Sequence, residues 1–300
     1  MHKQFHGVWP AMITPLDEAG RPNHEAVEQL VELFISQQLG GLYILGSTGQ
    51  WPLLPPEHRR SVAERVVQTA AGRIPVIVHV GAAATEDAVE LARHAESIGA
   101  DAVSAVAPIY YPATVDDLFH HYHAIGEASR LPLFVYHLST VQQVSIDPPE
   151  YARRVLEVPN IAGMKVTDRD LFPLGVIAAI AGDRLRLFSG ADSLICHAAL
   201  SGACGAIGTF FNLYGAPAKR ARAAFVAGDF QAGLRFMSAF QSALAEVLAS
   251  GSIWSFLRTA MRLRFHIETG MPRPPLGATD QPWEEADVHR LVQQVESAAE

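Results

Sequence analysis

The chain writes nearly all of its positive charge as arginine: of 23 basic residues only Lys3, Lys165 and Lys219 are lysines. Lys165 stands near the end of an apolar run, IAGMKV at 161–166, where a strand would bury its side chains. Arginine stays protonated in proteins, whereas a desolvated lysine can lose its proton and add to a carbonyl. Other residues with chemical potential follow similar apolar runs. GSTGQ at 46–50 is a glycine-flanked turn whose backbone amides and Ser47 and Thr48 hydroxyls could hold a carboxylate or a phosphate. IYYP at 109–112 carries Tyr110, PLFVY ends at Tyr136, SGADS contains Gly190 and Asp192, and GTFFN contains Thr209. Taken singly, each has a plain explanation: a loop, a rim tyrosine, or a lysine that snorkels to water.

Histidines offer less. In FHHYH (119–123) the pair His121 and His123 has a spacing used by metal ligands, but residues two apart on a helix point to different faces. A solvated helix face is the expectation, and His79, within PVIVHV, reads as a satisfied core histidine. Neither a metal nor a cofactor is predicted.

The elements that must position these residues repeat regularly. Eight β-rich apolar runs occur at 8–14, 42–46, 75–80, 102–107, 132–136, 161–166, 185–189 and 203–208. Between them lie segments with helical spacing, such as EAVEQLVELFISQ, and TEDAVELARHAESIG with an N-cap-like start at Thr85 to Asp87. Near-continuous apolar strands alternating with helices indicate a parallel sheet covered on its outside. Eight such units predict an α/β fold, a (β/α)8 TIM barrel over residues 1–225, with a helical extension over 226–300. A doubly wound sheet would want a Gly-rich phosphate loop after the first strand, and PLDEAGRP is not one. In a barrel the runs listed above place Ser47, Thr48, Tyr110, Tyr136, Lys165, Asp192 and Thr209 together at the C-terminal end of the strands.

A formal charge of −8, a pI near 5.9 and basic residues clustered only in pairs argue against nucleic acid or an anionic membrane as partner. No apolar run has the length of a membrane span, and the N-terminus is a poor signal peptide. Two cysteines, Cys196 and Cys204, read as free thiols, which leads to an expected cytoplasmic location.

The ordered set GSTGQ, PIYYP, VYHLS, GMKVTD, SGADS and GAIGTFFN, across nearly the whole chain, resembles the pyruvate-dependent Schiff-base aldolases and synthases. These form the dihydrodipicolinate synthase and N-acetylneuraminate lyase superfamily. The resemblance implies that Lys165 forms an imine with a 2-oxo acid, that Ser47 and Thr48 hold its carboxylate, and that Tyr136 shuttles a proton. It also implies that Tyr110 reaches into a neighbouring subunit of a homotetramer. Thr167, Gly190, Asp192 and Thr209 match substrate-binding positions of the lyases that cleave sialic acid.

The chain also departs from the family. YHLSTVQQVS lacks the arginine by which the synthases hold a second carboxylate, and has Ser139 where proline is usual. The lyases' sugar-binding Asp-Glu pair is Asp192-Ser193 here, and the glutamate after GSTG is Gln50. The expected reaction is therefore cleavage of a small-molecule 2-oxo-3-deoxy sugar acid to pyruvate and an aldehyde. Alternatives keep the imine and change the outcome: dehydration, decarboxylating dehydration, or hydration followed by aldol cleavage. Dihydrodipicolinate synthesis and a silent 2-oxo-acid sensor complete the field.

Overall fold

The computed structural model describes residues 4–111, 113–141 and 146–300. Eight strands form a parallel sheet: β1 (Gly7–Pro10), β2 (Leu42–Ile44), β3 (Val76–His79), β4 (Ala102–Val106), β5 (Leu133–Leu138), β6 (Ile161–Thr167), β7 (Arg186–Ser189) and β8 (Gly205–Gly208). Their order is β1-β8-β7-β6-β5-β4-β3-β2, and a parallel bridge between Ala11 and Tyr43 brings the two outer strands together as a (β/α)8 barrel. Each strand falls within or beside one of the apolar runs. The first is shorter than 8–14, because after the Ala11 bridge the chain leaves the sheet.

Helices α1 (His24–Ser36), α2 (Pro56–Ala70), α3 (Thr85–Ser97), α4 (Val115–Ala128), α5 (Pro148–Val155), α6 (Phe172–Ala181), α7 (Ile195–Leu200) and α8 (Phe211–Val226) follow the strands in turn. Beyond them come α9 (Phe230–Ser250), α10 (Ile253–Phe265) and α11 (Glu285–Ser297). The apolar stripe of α1, Val27, Leu30, Val31 and Phe34, is buried as its spacing requires. Two local expectations change. Thr85 is the first residue of α3 rather than its cap, and its hydroxyl lies 3.0 Å from His121 Nδ1. The HxH pair is not a solvated face: α4 turns His121 inward, where burial lowers its pKa to about 4 and keeps it neutral, and His123 is half-buried. Among the described residues no helix is long and apolar enough to cross a membrane.

Two apolar layers hold the barrel. The larger lies between strands and helices and includes Met164 and Val166 of β6. The smaller fills the interior with Phe5, Trp9, Tyr43, Ile77, Phe134, Phe188 and Ile207. Its rings meet edge to face, Phe5 on Phe134 at 5.1 Å and Trp9 on Phe188 at 5.6 Å. This plug closes the barrel axis, so polar chemistry has room only at the mouth. Phe134→Ala should cost about 3–5 kcal/mol of stability, the usual range for emptying an aromatic site in a core. The fall in the urea midpoint, read with an unchanged m-value, measures it.

Candidate active site

Strand alternation decides which side chains face the interior. Met164 and Val166 belong to the outer layer, so Lys165 and Thr167 point inward. Lys165 pairs in register with Tyr136 on β5 and Phe188 on β7, and is 4% exposed. Its Nζ lies 4.2 Å from the ring centre of Tyr136 and 4.6 Å from that of Tyr43. The two rings pack edge to face at 6.2 Å. Tyr43 shares a hydrogen bond of 3.0 Å with Ser104 Oγ. Burial, together with the neighbouring Tyr136, raises the Tyr43 hydroxyl well above its ordinary value, so it stays neutral.

Gly190 is required beside this lysine. A Cβ there would overlap Thr167 Oγ1 and come within 3.0 Å of Lys165 Cε. The bare backbone leaves room for the lysine stem, and Thr167 Oγ1 is buried with no protein partner among the described residues. Ser139, in the place where a proline was usual, donates from both its backbone N–H and its hydroxyl to the Thr167 carbonyl at 3.3 Å.

The turn after β2 is held from below and behind. Thr14 Oγ1 donates to the Gly49 carbonyl at 3.0 Å. Gln50, in a left-handed conformation, donates from Nε2 to the Thr14 carbonyl at 3.1 Å and accepts from the Arg273 backbone N–H at 2.8 Å. A carboxylate at position 50 could not make the first of these bonds. Within the turn Thr48 is buried and Ser47 exposed. The Thr48 hydroxyl meets that of Thr209 at 2.7 Å, joining the turn to the residue after β8. Asn212 fixes that end by donating to the carbonyls of Ala11 and Thr209, both at 2.7 Å.

Asp192 Oδ2 accepts from the Phe210 backbone N–H at 2.6 Å, and the bare Cα of Gly208 admits the carboxyl. Burial raises Asp192 to about 6, against the opposing pull of Phe210 and Lys165. His79, behind Tyr136, accepts from Val106 N–H at 3.2 Å and is kept neutral by burial and by the Arg59 charge.

The structure thus brings Lys165, Tyr136, Thr167 and Gly190 into one cluster, and sets Thr48, Thr209 and Asp192 on the turns after β2, β8 and β7. Tyr110 is not brought to Tyr136 within one chain: it is 77% exposed and packs edge-on against Tyr111. Pro112, the last residue of IYYP, lies outside the described residues, as do residues 142–145 of YHLSTVQQVS. Tyr43 is the residue the motif reading passed over. It lies three positions before the glycine of GSTGQ, on an inward strand position, and that parity was its available signal. Chemically, the arrangement offers a buried amine, a phenol on the adjoining strand and a hydroxyl-rich turn.

The profile of the dihydrodipicolinate synthetase family matches residues 4–295. The chain is 31% identical to the N-acetylneuraminate lyase of Salmonella agona and 30% identical to that of Citrobacter koseri, in each case over 94% of both chains. Among solved structures it is similar to the sialic acid aldolase of Ruminococcus gnavus, with TM-score 0.92 and 25% identity over 98% of each chain. It is also similar to the N-acetylneuraminate lyase of Proteus mirabilis, with TM-score 0.86 and 27% identity over 98% of each chain.

Asp192 gives a pH test of this geometry. A carboxyl at about 6 when folded, against an ordinary 3.8, is easier to ionise in the unfolded chain. Its contribution to stability is therefore full below the unfolded value and is lost as pH rises through about 6. Asp192→Asn should flatten the stability profile between pH 4 and pH 7, read as urea midpoints across that range (roughly the window set by the two values).

Proposed function

The chain belongs to the dihydrodipicolinate synthetase family and is a lyase; we propose that it reversibly cleaves a 4-hydroxy-2-oxo acid, the class that includes the 2-oxo-3-deoxy sugar acids, to pyruvate and an aldehyde through an imine on Lys165. The observation that carries this reading is the placement of Lys165 Nζ, buried at 4% exposure and 4.2 Å from the Tyr136 ring. A carbonyl entering from the mouth meets this amine and the phenol-bearing strand beside it.

In the proposed cycle the amine of Lys165 adds to the C2 carbonyl and Tyr136 gives its phenolic proton to the departing hydroxyl, so that loss of water leaves a protonated imine beside the Tyr136 phenolate. The C3–C4 bond then breaks, its electron pair passing into the imine to give an enamine, while Tyr136 takes the C4 hydroxyl proton and the aldehyde departs. Tyr136 returns that proton to C3, and hydrolysis of the imine frees pyruvate and the amine. The Ser47 and Thr48 hydroxyls and the amides of their turn hold the carboxylate. Thr167, whose hydroxyl has no partner among the described residues, together with Asp192 and Thr209 binds the substrate around its C4 hydroxyl, and Gly190 leaves the space for it.

In this reading residues 1–225 are the catalytic barrel and 226–300 an extension whose Arg273 braces Gln50 beneath the carboxylate turn. Exposed Tyr110 supports a homotetramer in which each subunit's tyrosine reaches a neighbour's Tyr136. The two free thiols, Cys196 buried and Cys204 half-buried, accord with a cytoplasmic enzyme.

Borohydride reduction in the presence of pyruvate tests the imine. The wild type should gain one reduced pyruvyl group, mapped to the Lys165 peptide, and Lys165→Ala should gain none; equal labelling of the variant would sink the mechanism. Tyr136→Phe should still be labelled, while kcat for pyruvate release falls by about 10²–10⁴-fold, the usual worth of a general acid–base group.

A further inference from the structure

We propose that the aldehyde half of the substrate ends in an apolar group, alkyl, acyl or aryl, received by a wall that the C-terminal helices build against the barrel mouth. This rests on the aldolase reading above and names the substrate class of the same site. A cavity of about 410 Å³ starts at Asp192, Ser193 and Thr209, the residues that follow β7 and β8. It is lined further by Phe210, by Leu244 and Leu248 of α9, by Ile253 and Trp254 of α10, and by Leu276. Its size lies within the range of about 300–1,000 Å³ usual for small-molecule sites.

The polar groups at the inner end are largely engaged already. Asp192 Oδ2 accepts from Phe210 N–H, Thr209 Oγ1 is bonded to Thr48, and the Ser193 carbonyl accepts from Gln241 Nε2 at 2.7 Å. Farther out the lining side chains are leucine, isoleucine, phenylalanine and tryptophan, with the Trp254 indole N–H the one polar group among them. A chain of hydroxyls laid along this wall would give up water without gaining partners, whereas an apolar end would bury its surface there at no such cost. Ser193 has replaced the family's glutamate at the one place where an acceptor for those hydroxyls would stand.

The wall is also held in place before anything binds. Asp280 Oδ2 accepts from the backbone N–H groups of Trp254 and Ser255 at 2.8 and 2.9 Å, and Ser252 Oγ accepts from Gln281 N–H at 2.8 Å. Gly277, with φ +67°, lies so close that a Cβ would come within 3.3 Å of Trp254 Cβ. Leu248, by contrast, is 46% exposed and so within reach of a ligand.

The test runs the reaction in the direction of condensation, with the full-length protein, pyruvate and a panel of aldehydes: butanal, benzaldehyde, glyceraldehyde and N-acetylmannosamine. Butanal or benzaldehyde should exceed glyceraldehyde in kcat/KM by about tenfold or more, the discrimination that one or two buried methylenes supply. Leu248→Gln, at a position exposed enough to leave folding intact, should shrink that ratio at least about fivefold, and Ser193→Glu should shift it toward glyceraldehyde. Preference for glyceraldehyde in the wild type, or a ratio that neither variant moves, overturns the proposal. Borohydride trapping with pyruvate alone separates the two readings. Labelled Lys165 without an apolar preference refutes only the apolar wall, whereas an unlabelled protein refutes the aldolase reading beneath it.

Discussion

An amine buried between the faces of two tyrosines, with no carboxylate in ion-pair contact among the described residues, is the arrangement on which the rest of the site depends. Ring faces attract a cation through the aromatic quadrupole and leave the nitrogen open to an incoming carbonyl. Lys165 is therefore neither tied into a salt bridge nor left in water. The arrangement works only in a barrel whose axis is already filled. Phe5, Trp9, Phe134 and Phe188 close the space beneath, so the lysine stem has no lower position to relax into. Gly190 closes the remaining option from the side by taking up no space where the stem and Thr167 must lie.

The loops around this centre are fastened to one another rather than to the lysine. The Thr48 and Thr209 hydroxyls bind across the mouth, Asn212 ties β8 to the end of β1, and Gln50 reaches from the second turn to the backbone of Arg273. Arg273 in turn donates to the Gly20 carbonyl at 2.7 Å, closing a circuit between the start of the chain and its C-terminal part. The extension is thereby part of the site's construction: it supplies both a brace under the turn after β2 and the wall beyond Asp192.

Much of this was legible in the sequence because strands buried on both faces must be written as apolar runs, and eight runs at βαβ spacing leave few architectures. Lys165 and Tyr136 stood out because they interrupt or end such runs. Tyr43 did not, since an aromatic in a strand is ordinary and only the three-dimensional meeting with Lys165 gives it a role. His121 was misjudged as solvated for a related reason: a polar residue inside a helix says nothing of which side the helix turns to the barrel, and Thr85 from the neighbouring helix was there to receive it. Tertiary pairings of this kind, Gln50 with Arg273 across 223 positions among them, leave no periodic trace.

Gln50 and Ser193 are the two places where an acidic residue of the resembled family is absent, and they do different things. At Gln50 the neutral amide is used at both ends, donating to Thr14 and accepting from Arg273, so the change is accounted for by local structure. At Ser193 Gln241 engages the backbone carbonyl, and among the described residues no hydrogen bond reaches the side chain. A loss that the fold does not demand, next to a wall made of leucine, isoleucine, phenylalanine and tryptophan, points outward to the ligand. On the proposed reading the pyruvate half of the site would serve any 2-oxo acid, and it is the apolar wall that would distinguish one aldehyde from another.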